Sequence, residues 1–183
     1  MNRSSMFSRR VRLARVCGWL LLPLLFAITA ACGASSLPGG VYSSQQYHFK
    51  ITYPNGWQVN ESNQPDAAAP LIVIITRSGE RNANGVLVSS LTIDVLNLSA
   101  LGGTQVAERL AKDKSLTPVT LAGLTAYRDR PTVQQGAGAN SAVSVTHTDY
   151  FIVHGAYEYQ LSIDALPGDG ATLDTMARSF ILL

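Results

Sequence analysis

The sequence predicts an α+β domain with a central, mostly antiparallel sheet of about six to seven strands flanked by helices. Several short segments between residues 47 and 165 alternate apolar and polar side chains with the two-residue period of half-buried strands. Two other segments, at 104–114 and after Asp169, have apolar residues at helical spacing. A charge-free apolar run at 16–28 precedes these elements and ends at Thr29-Ala30-Ala31-Cys32.

The first 31 residues have the composition of an export signal. Five arginines and no acidic residue occur in the first fifteen positions, and the chain is then uncharged as far as Ala31. The apolar run is shorter than the ~20 residues that span a bilayer, and Pro23 interrupts it, so the segment is predicted to be removable. Residues 8–13 partly resemble a twin-arginine export motif, with Arg12 where an aromatic residue is usual, so both export routes stay open.

Cys32 follows two small residues, as a lipidated cysteine does. Ala30 and Ala31 suit a signal peptidase, and the Cys32 thiol is the group that is acylated before cleavage. The stretch resembles the lipobox of bacterial lipoproteins, although Thr29 stands where Leu is commonest. This resemblance implies cleavage between Ala31 and Cys32, a palmitate-type anchor on Cys32, and a location on the extracytoplasmic face of the cell membrane. The alternative is an ordinary signal peptide cut near a cysteine.

The rest of the chain is predicted to comprise a flexible tether at 32–41 and one domain at 42–183. Removing the five arginines of the signal from 14 basic residues leaves nine against 12 acidic residues, a net charge of −3. This charge and the lack of a basic run exclude nucleic acid as a partner. With Cys17 in the signal and Cys32 at the new terminus, no disulfide is possible within the domain, and we expect a monomer.

Strands are predicted wherever the two-residue period or a short β-branched run occurs. Leu71 to Ile75 is continuously apolar and predicts a strand covered on both faces, whereas Glu158 and its alternate neighbours predict a solvent-exposed face. The predicted strands are 47–53, 57–59, 71–75, 86–96, 119–121, 124–130, 141–153 and 157–165.

Helices are predicted at 104–114, with Thr104 as its cap, and after Asp169, which is expected to cap the second helix. Ala122-Gly123 and His154-Gly155 predict hairpin turns, and residues 134–140 predict a mobile loop. Leu173, Met176, Ala177 and Phe180 share one face of the last helix, which is expected to cover the sheet.

The order of these parts resembles the PsbP-like family. Residues 49–59, Phe-Lys-Ile-Thr-Tyr-Pro-Asn-Gly-Trp-Gln-Val, resemble its opening hairpin, and Ser179-Phe180 is similar to the end of its last helix. The resemblance implies a central antiparallel sheet flanked by helices, with Pro54 fixing a turn and Trp57 filling the core. Proteins of this family are accessory and binding modules in unrelated systems, so the fold does not identify a ligand.

Candidate catalytic residues are few. No nucleophile elbow, phosphate-binding glycine loop, His-Glu-x-x-His helix or cysteine pair occurs. His147 and Asp149 lie two apart on one predicted strand and point the same way, which suits a metal site or a hydrogen-bonded dyad. There are two alternatives. A strand bulge could turn both side chains toward solvent, or the two side chains could simply satisfy each other's hydrogen-bonding groups. Seven tyrosines either line a ligand groove or sit at sheet edges.

These observations favour a non-enzymatic, membrane-anchored binding or assembly module that needs no cofactor and acts on a protein partner at the membrane surface. A carrier of a small apolar ligand held between sheet and helix is the second hypothesis. A metal-dependent hydrolase that uses His147 and Asp149 is the third.

Overall fold

The computed structural model describes residues 39–64, 66, 68–77, 89–103, 105–121, 123–135 and 144–183. All of them belong to one compact unit of the chain. Their elements, in chain order, are β1 (Gly39–Ser44), β2 (Phe49–Pro54), β3 (Trp57–Asn63), β4 (Leu71–Arg77), β5 (Ser90–Asn97), α1 (Gln105–Lys112), β6 (Thr117–Leu121), β7 (Leu124–Arg128), β8 (Thr132–Gln135), β9 (Ser144–His154), β10 (Tyr157–Ala165), α2 (Gly170–Arg178) and β11 (Ile181–Leu182).

The strands form two antiparallel sheets. The large sheet has eight strands in the order β3-β4-β5-β10-β9-β7-β6, with β8 paired to β9, and the small sheet has three in the order β1-β2-β11. The α+β fold predicted from the sequence is therefore confirmed, with more strands than expected. The additional pairings involve β1, β8 and the two-residue β11, which are too short or too polar to show a clear period in the sequence.

The main core lies between one face of the large sheet and a layer formed by α2 and the small sheet. Alternate residues of β5 and β10 point into it, as the period of a strand requires. The largest side chains with less than 2% exposure there are Tyr159, Phe49, Phe180, Ile51, Leu71, Ile75, Leu91, Ile93, Ile152, Leu161, Leu173 and Met176. Trp57 belongs to the same cluster, as the family resemblance implies.

The opposite face of the large sheet is partly covered by α1. Val106 and Leu110 of α1 are buried and pack with Leu98, and Phe151 and Val153 of β9 lie against this cluster. This arrangement confirms the predicted amphipathic helix, while its predicted cap, Thr104, lies outside the described residues. Among the described residues, the two helices are both too short to cross a bilayer.

The predicted opening hairpin is wrong in its pairing. A turn at Asn55 and Gly56, with φ +79° at the glycine, does join β2 to β3. However, β2 pairs with β1 and β11, whereas β3 pairs with β4, so the two strands belong to different sheets. The turn therefore carries the chain from the small sheet to the large one.

The predicted tether also ends too late, because β1 already begins at Gly39. Gly39 lies so close to the backbone of β2 that a Cβ atom would collide with the carbonyl oxygen of Tyr53, and the Tyr53 ring lies against Gly40. The glycines permit close strand pairing here rather than flexibility. The remainder of the predicted tether, and the signal with Ala31 and Cys32, lie outside the described residues.

Burial of the outer face differs from the sequence prediction in two places. The run in β4 is not covered on both sides: Val73 is fully buried, but Ile74 is 37% exposed, because α1 covers a different part of that face. Conversely, Glu158 of β10 is only 5% exposed, although it lies on the face that was predicted to be solvent-exposed. It lies near Arg109 of α1, whose positive charge partly opposes the rise in the Glu158 pKa that burial causes.

Other predicted elements agree with the structure. The hairpins β6-β7 and β9-β10 form with the expected partners, and β5 buries Leu91, Ile93 and Val95. Residues 134 and 135, predicted as part of a mobile loop, instead belong to β8 and pair with β9. Ala122 and residues 136–143 lie outside the described residues.

Replacing Phe180 by Ala is expected to lower the free energy of unfolding by about 3–5 kcal/mol, because a buried aromatic ring is lost from a packed core. Phe180 is fully buried, with ring centroids 5.4 Å from Phe49 and 5.5 Å from Tyr159. Urea denaturation followed by circular dichroism measures the change. Val133→Ala, at a site 64% exposed, is the control and should change the unfolding free energy by less than ~0.5 kcal/mol. Equal midpoints for the two variants would contradict this role of Phe180.

Candidate functional site

The predicted pair of His147 and Asp149 lies on the outer face of the large sheet and includes a third residue. His147 Nε2 is 3.3 Å from Asp149 Oδ2, and His147 Nδ1 is 2.8 Å from Asp164 Oδ1. Asp164 faces His147 directly in the antiparallel register of β9 and β10. The prediction that His147 and Asp149 point the same way is therefore confirmed, and the sequence-based prediction missed Asp164, because it depends on strand register.

The surroundings of this cluster are acidic. Partial burial alone would lower the pKa of His147, but hydrogen bonding to Asp164 and the charges of Asp149 and Asp164 more than offset it, so the pKa is raised. Burial, and then the charge of Asp149, raises the pKa of Asp94 on β5. Asp129 accepts a hydrogen bond from the backbone N–H of Asp149 at 2.8 Å. The histidine thus serves as the positive partner of several carboxylates.

Metal binding by this cluster gains no support from the geometry. The described part of the chain contains no group of three or more His, Cys, Asp or Glu residues placed to hold a metal ion. The histidine ring nitrogens are both directed at carboxylates, as in the alternative of a mutually paired cluster, whereas the buried Asp149 Oδ1 has no hydrogen-bond partner within the described residues.

A groove on the other face of the same sheet lies between sheet and helix, where the second hypothesis places a small ligand, but the sequence did not indicate which residues line it. It has a volume of about 480 Å³ and lies between α2 and the inner face of β7, β9 and β10. We call it the basic groove. Its lining comprises Arg128, Pro131, Thr146, Thr148, Tyr150, Ile163, Ala165, Leu166, Pro167, Gly168, Gly170, Ala171, Asp174 and Arg178.

Two arginines and one carboxylate set the charge of the basic groove. Arg178 Nε donates to Asp174 Oδ2 at 2.8 Å, and the Tyr150 hydroxyl donates to Asp174 Oδ1 at 3.1 Å. The guanidinium carbon of Arg128 lies 5.5 Å from the centroid of the Tyr150 ring. Burial, followed by the charge of Asp174, raises the pKa of Tyr150, so its hydroxyl stays protonated as a donor. The ionic groups of the lining sum to one net positive charge.

The first turn of α2 also borders the basic groove, through Gly170 and Ala171. Asp169 occupies the N-cap position, as predicted, but the prediction that it caps the helix is wrong because its side chain makes no capping hydrogen bond. Its carboxylate instead pairs with Arg77 of β4 and accepts a hydrogen bond from Ser89 Oγ at 2.5 Å. The positive end of the helix dipole therefore lies at the groove without a side-chain cap from Asp169.

Sequence reasoning missed the lining of the basic groove because its described residues come from three separate stretches of chain, 128–131, 146–150 and 163–178. The signal that was present is the Pro167-Gly168-Asp169-Gly170 turn followed by a helix, which places backbone N–H groups at a sheet end. Of the seven tyrosines, Tyr150 lines this groove, while Tyr157 and Tyr159 line a second hollow of about 420 Å³ beside His48 and His154.

Protonated His147 is expected to stabilise the fold, since its pKa is raised in the folded state. That contribution is complete below the unfolded pKa of about 6.5 and is lost as the pH rises through the higher folded pKa. His147→Gln should therefore cost more unfolding free energy at about pH 5 than at about pH 8, measured by urea denaturation. Val133→Ala, at an exposed site of β8 without an ionisable group, is the control and should cost the same at both pH values. The same cost of His147→Gln at both pH values would contradict the charged pairing.

No protein-family model matches the sequence, and no curated protein is significantly similar to it. Several solved structures are similar in fold. A crystal structure of a protein from Bacteroides thetaiotaomicron VPI-5482 aligns with a TM-score of 0.54 and 14% identity, over 79% of this chain and 48% of that one. The chain thus spans about half the length of that protein.

Two further structures align with lower scores. The solution structure of PsbP (CyanoP) from Synechocystis sp. PCC 6803 gives a TM-score of 0.49 and 16% identity, over 83% of this chain and 97% of that one. The crystal structure of LpqN from Mycobacterium tuberculosis, a protein involved in cell envelope biogenesis, gives a TM-score of 0.40 and 13% identity. The alignment covers 81% of this chain and 87% of that one. At such identities the likeness concerns the α+β fold and identifies neither a ligand nor a partner.

Proposed function

We propose that this chain is a membrane-anchored, extracytoplasmic lipoprotein that acts as a non-enzymatic binding or accessory module of the PsbP-like type. Cleavage between Ala31 and Cys32 and acylation of Cys32 supply the anchor. Two or more acyl chains hold a protein stably at a bilayer, at ~0.8 kcal/mol per buried methylene. The domain acts as a monomer that engages its partner at the membrane surface.

The basic groove carries the proposed binding role. Its residues are held by the sheet, by α2 and by the short turn between β10 and α2 rather than by long loops. Its polar groups are guanidinium, hydroxyl and carboxylate groups, and the described residues that line it include neither histidine nor cysteine. Such a lining suits holding a ligand by hydrogen bonds and charge.

A carrier of a small ligand is the second candidate, favoured by the volume of the same groove. The core between the sheet and α2 is filled, since Leu173, Met176 and Phe180 are fully buried. A ligand would therefore lie along the side of α2, beside Ile163 and Ala165, rather than within the core. The carrier and the accessory module differ in what they do after binding, and both use this groove.

Mass spectrometry of the protein purified from membranes is expected to show an N-terminal, acylated Cys32. Cys32→Ser should leave the precursor uncleaved, because the lipoprotein pathway modifies this thiol before the cut. Cys17→Ser is the matched control and should be processed like the wild type, since Cys17 lies within the removed signal. A mature protein that begins at an unmodified residue would refute the anchor.

A further inference from the structure

The basic groove has the opposite charge to the domain that contains it. The chain without residues 1–31 carries nine basic and 12 acidic residues, yet the groove lining holds two arginines against one aspartate. The two acidic residues that His147 contacts are Asp149 and Asp164, and they lie on the other face of the sheet. The concave groove therefore carries a net positive charge within an acidic domain, which favours binding of an anion there.

Arg128 has hydrogen-bonding capacity that the described residues do not use. Its Nε atom is buried and has no hydrogen-bond partner within the described part of the chain. The guanidinium carbon lies 5.5 Å from the centroid of the Tyr150 ring, a cation–π contact that uses none of the N–H donors. A planar pair of N–H donors matches the oxygens of a carboxylate or a phosphate.

Arg178 and α2 add further donors at the same place. Arg178 uses Nε for Asp174, so its terminal nitrogens remain for a second acceptor at the mouth of the groove. Thr146, Thr148, Gly170 and Ala171 also line the groove, so two threonines and the start of α2 border it. An anion there lies near two guanidinium groups, two threonines and the positive end of a helix.

The remaining wall is apolar. Ile163, Ala165, Leu166 and the rings of Pro131 and Pro167 line it. A bare inorganic ion would leave this surface and much of the 480 Å³ volume unfilled. The site therefore fits a ligand that joins an anionic group to a short apolar body.

We propose that the basic groove binds a small anionic amphiphile, whose phosphate or carboxylate group contacts Arg128 and Arg178 and whose apolar part lies against Ile163 and Leu166. This inference rests on the proposed binding role and specifies its ligand class. The same chemistry occurs in soluble organic phosphates and in the headgroup region of anionic lipids.

Isothermal titration calorimetry on the purified mature lipoprotein in nonionic micelles tests this inference. Hexyl phosphate and hexanoate are the anionic probes, hexan-1-ol is the neutral probe of equal chain length, and hexylammonium is the cationic one. The anionic probes are expected to bind at least about tenfold more tightly than hexan-1-ol, since hydrogen bonds to charged groups are stronger than those to neutral groups.

Arg128→Gln is expected to weaken hexyl phosphate binding by roughly tenfold or more. Arg178→Gln should weaken it too, and since that side chain is 62% exposed, its loss leaves the fold intact. Arg128→Lys keeps the charge but not the planar donors, so its affinity should fall between those of wild type and Arg128→Gln. Arg130→Gln, an exposed arginine outside the lining, is the matched control and should change affinity by less than about twofold.

The source of the anion is resolved by adding dihexanoyl phosphatidylglycerol as a third anionic probe. Tighter binding of this short-chain lipid than of hexyl phosphate assigns the groove to a lipid headgroup, and the reverse order assigns it to a soluble anion. Either order supports the inference.

Equal affinity for hexan-1-ol and hexyl phosphate would overturn the inference while leaving the groove as a binding site. No binding of any anionic probe, or identical affinities for wild type, Arg128→Gln and Arg178→Gln, would also overturn it. An unmodified Cys32 would instead refute the membrane anchor and leave the ligand class standing, so the two proposals fail independently.

Discussion

The structure depends on a contact among three aromatic rings, those of Phe49, Tyr159 and Phe180. Phe49 comes from the small sheet, Tyr159 from the large sheet and Phe180 from the segment after α2, and their centroids lie 5.4 to 5.9 Å apart. The two sheets are separate hydrogen-bonded units, and the domain has no cysteine pair to join them. Burial of these rings therefore holds the layers together. The Tyr159 hydroxyl also donates to the carbonyl oxygen of Tyr47 at 2.9 Å, which satisfies the polar end of a buried ring.

The basic groove is a consequence of how α2 is fixed on this core. One end of the helix is held by Phe180 and by Ser179, whose hydroxyl donates to the carbonyl oxygen of Thr52 and accepts from its N–H. The other end is held by Asp169, which pairs with Arg77 and Ser89 rather than capping the helix. Because this carboxylate makes no capping hydrogen bond, the start of α2 borders the groove without a side-chain cap from Asp169.

The sequence predicts those parts of the fold that depend on local period, and it fails where distant segments meet. Alternation identified β9 and β10, and helical spacing identified the buried face of α2, because each element's own residues determine which side is apolar. The placement of β2 in the small sheet depends on β11, near the far end of the chain, so its turn with β3 was mistaken for a hairpin. The histidine cluster was half predicted, since Asp149 is local whereas Asp164 arrives through cross-strand register. The lining of the groove was missed because Arg128 and Arg178, fifty residues apart in the sequence, come to one groove only in three dimensions.

The large sheet separates charges of opposite sign, and this separation determines how each face acts. Arg128 and Tyr150 point to the inner face, while the carboxylates around His147 lie on the outer face of the same strands. If the two sets met on one face, part of the donor capacity of the arginines would be used by these aspartates, as that of His147 is. Among the described residues that line the groove, Asp174 is the one acidic residue, and it holds Arg178 and Tyr150 in place. Strand alternation thus keeps Arg128 apart from the acidic cluster and leaves it available within an otherwise acidic domain.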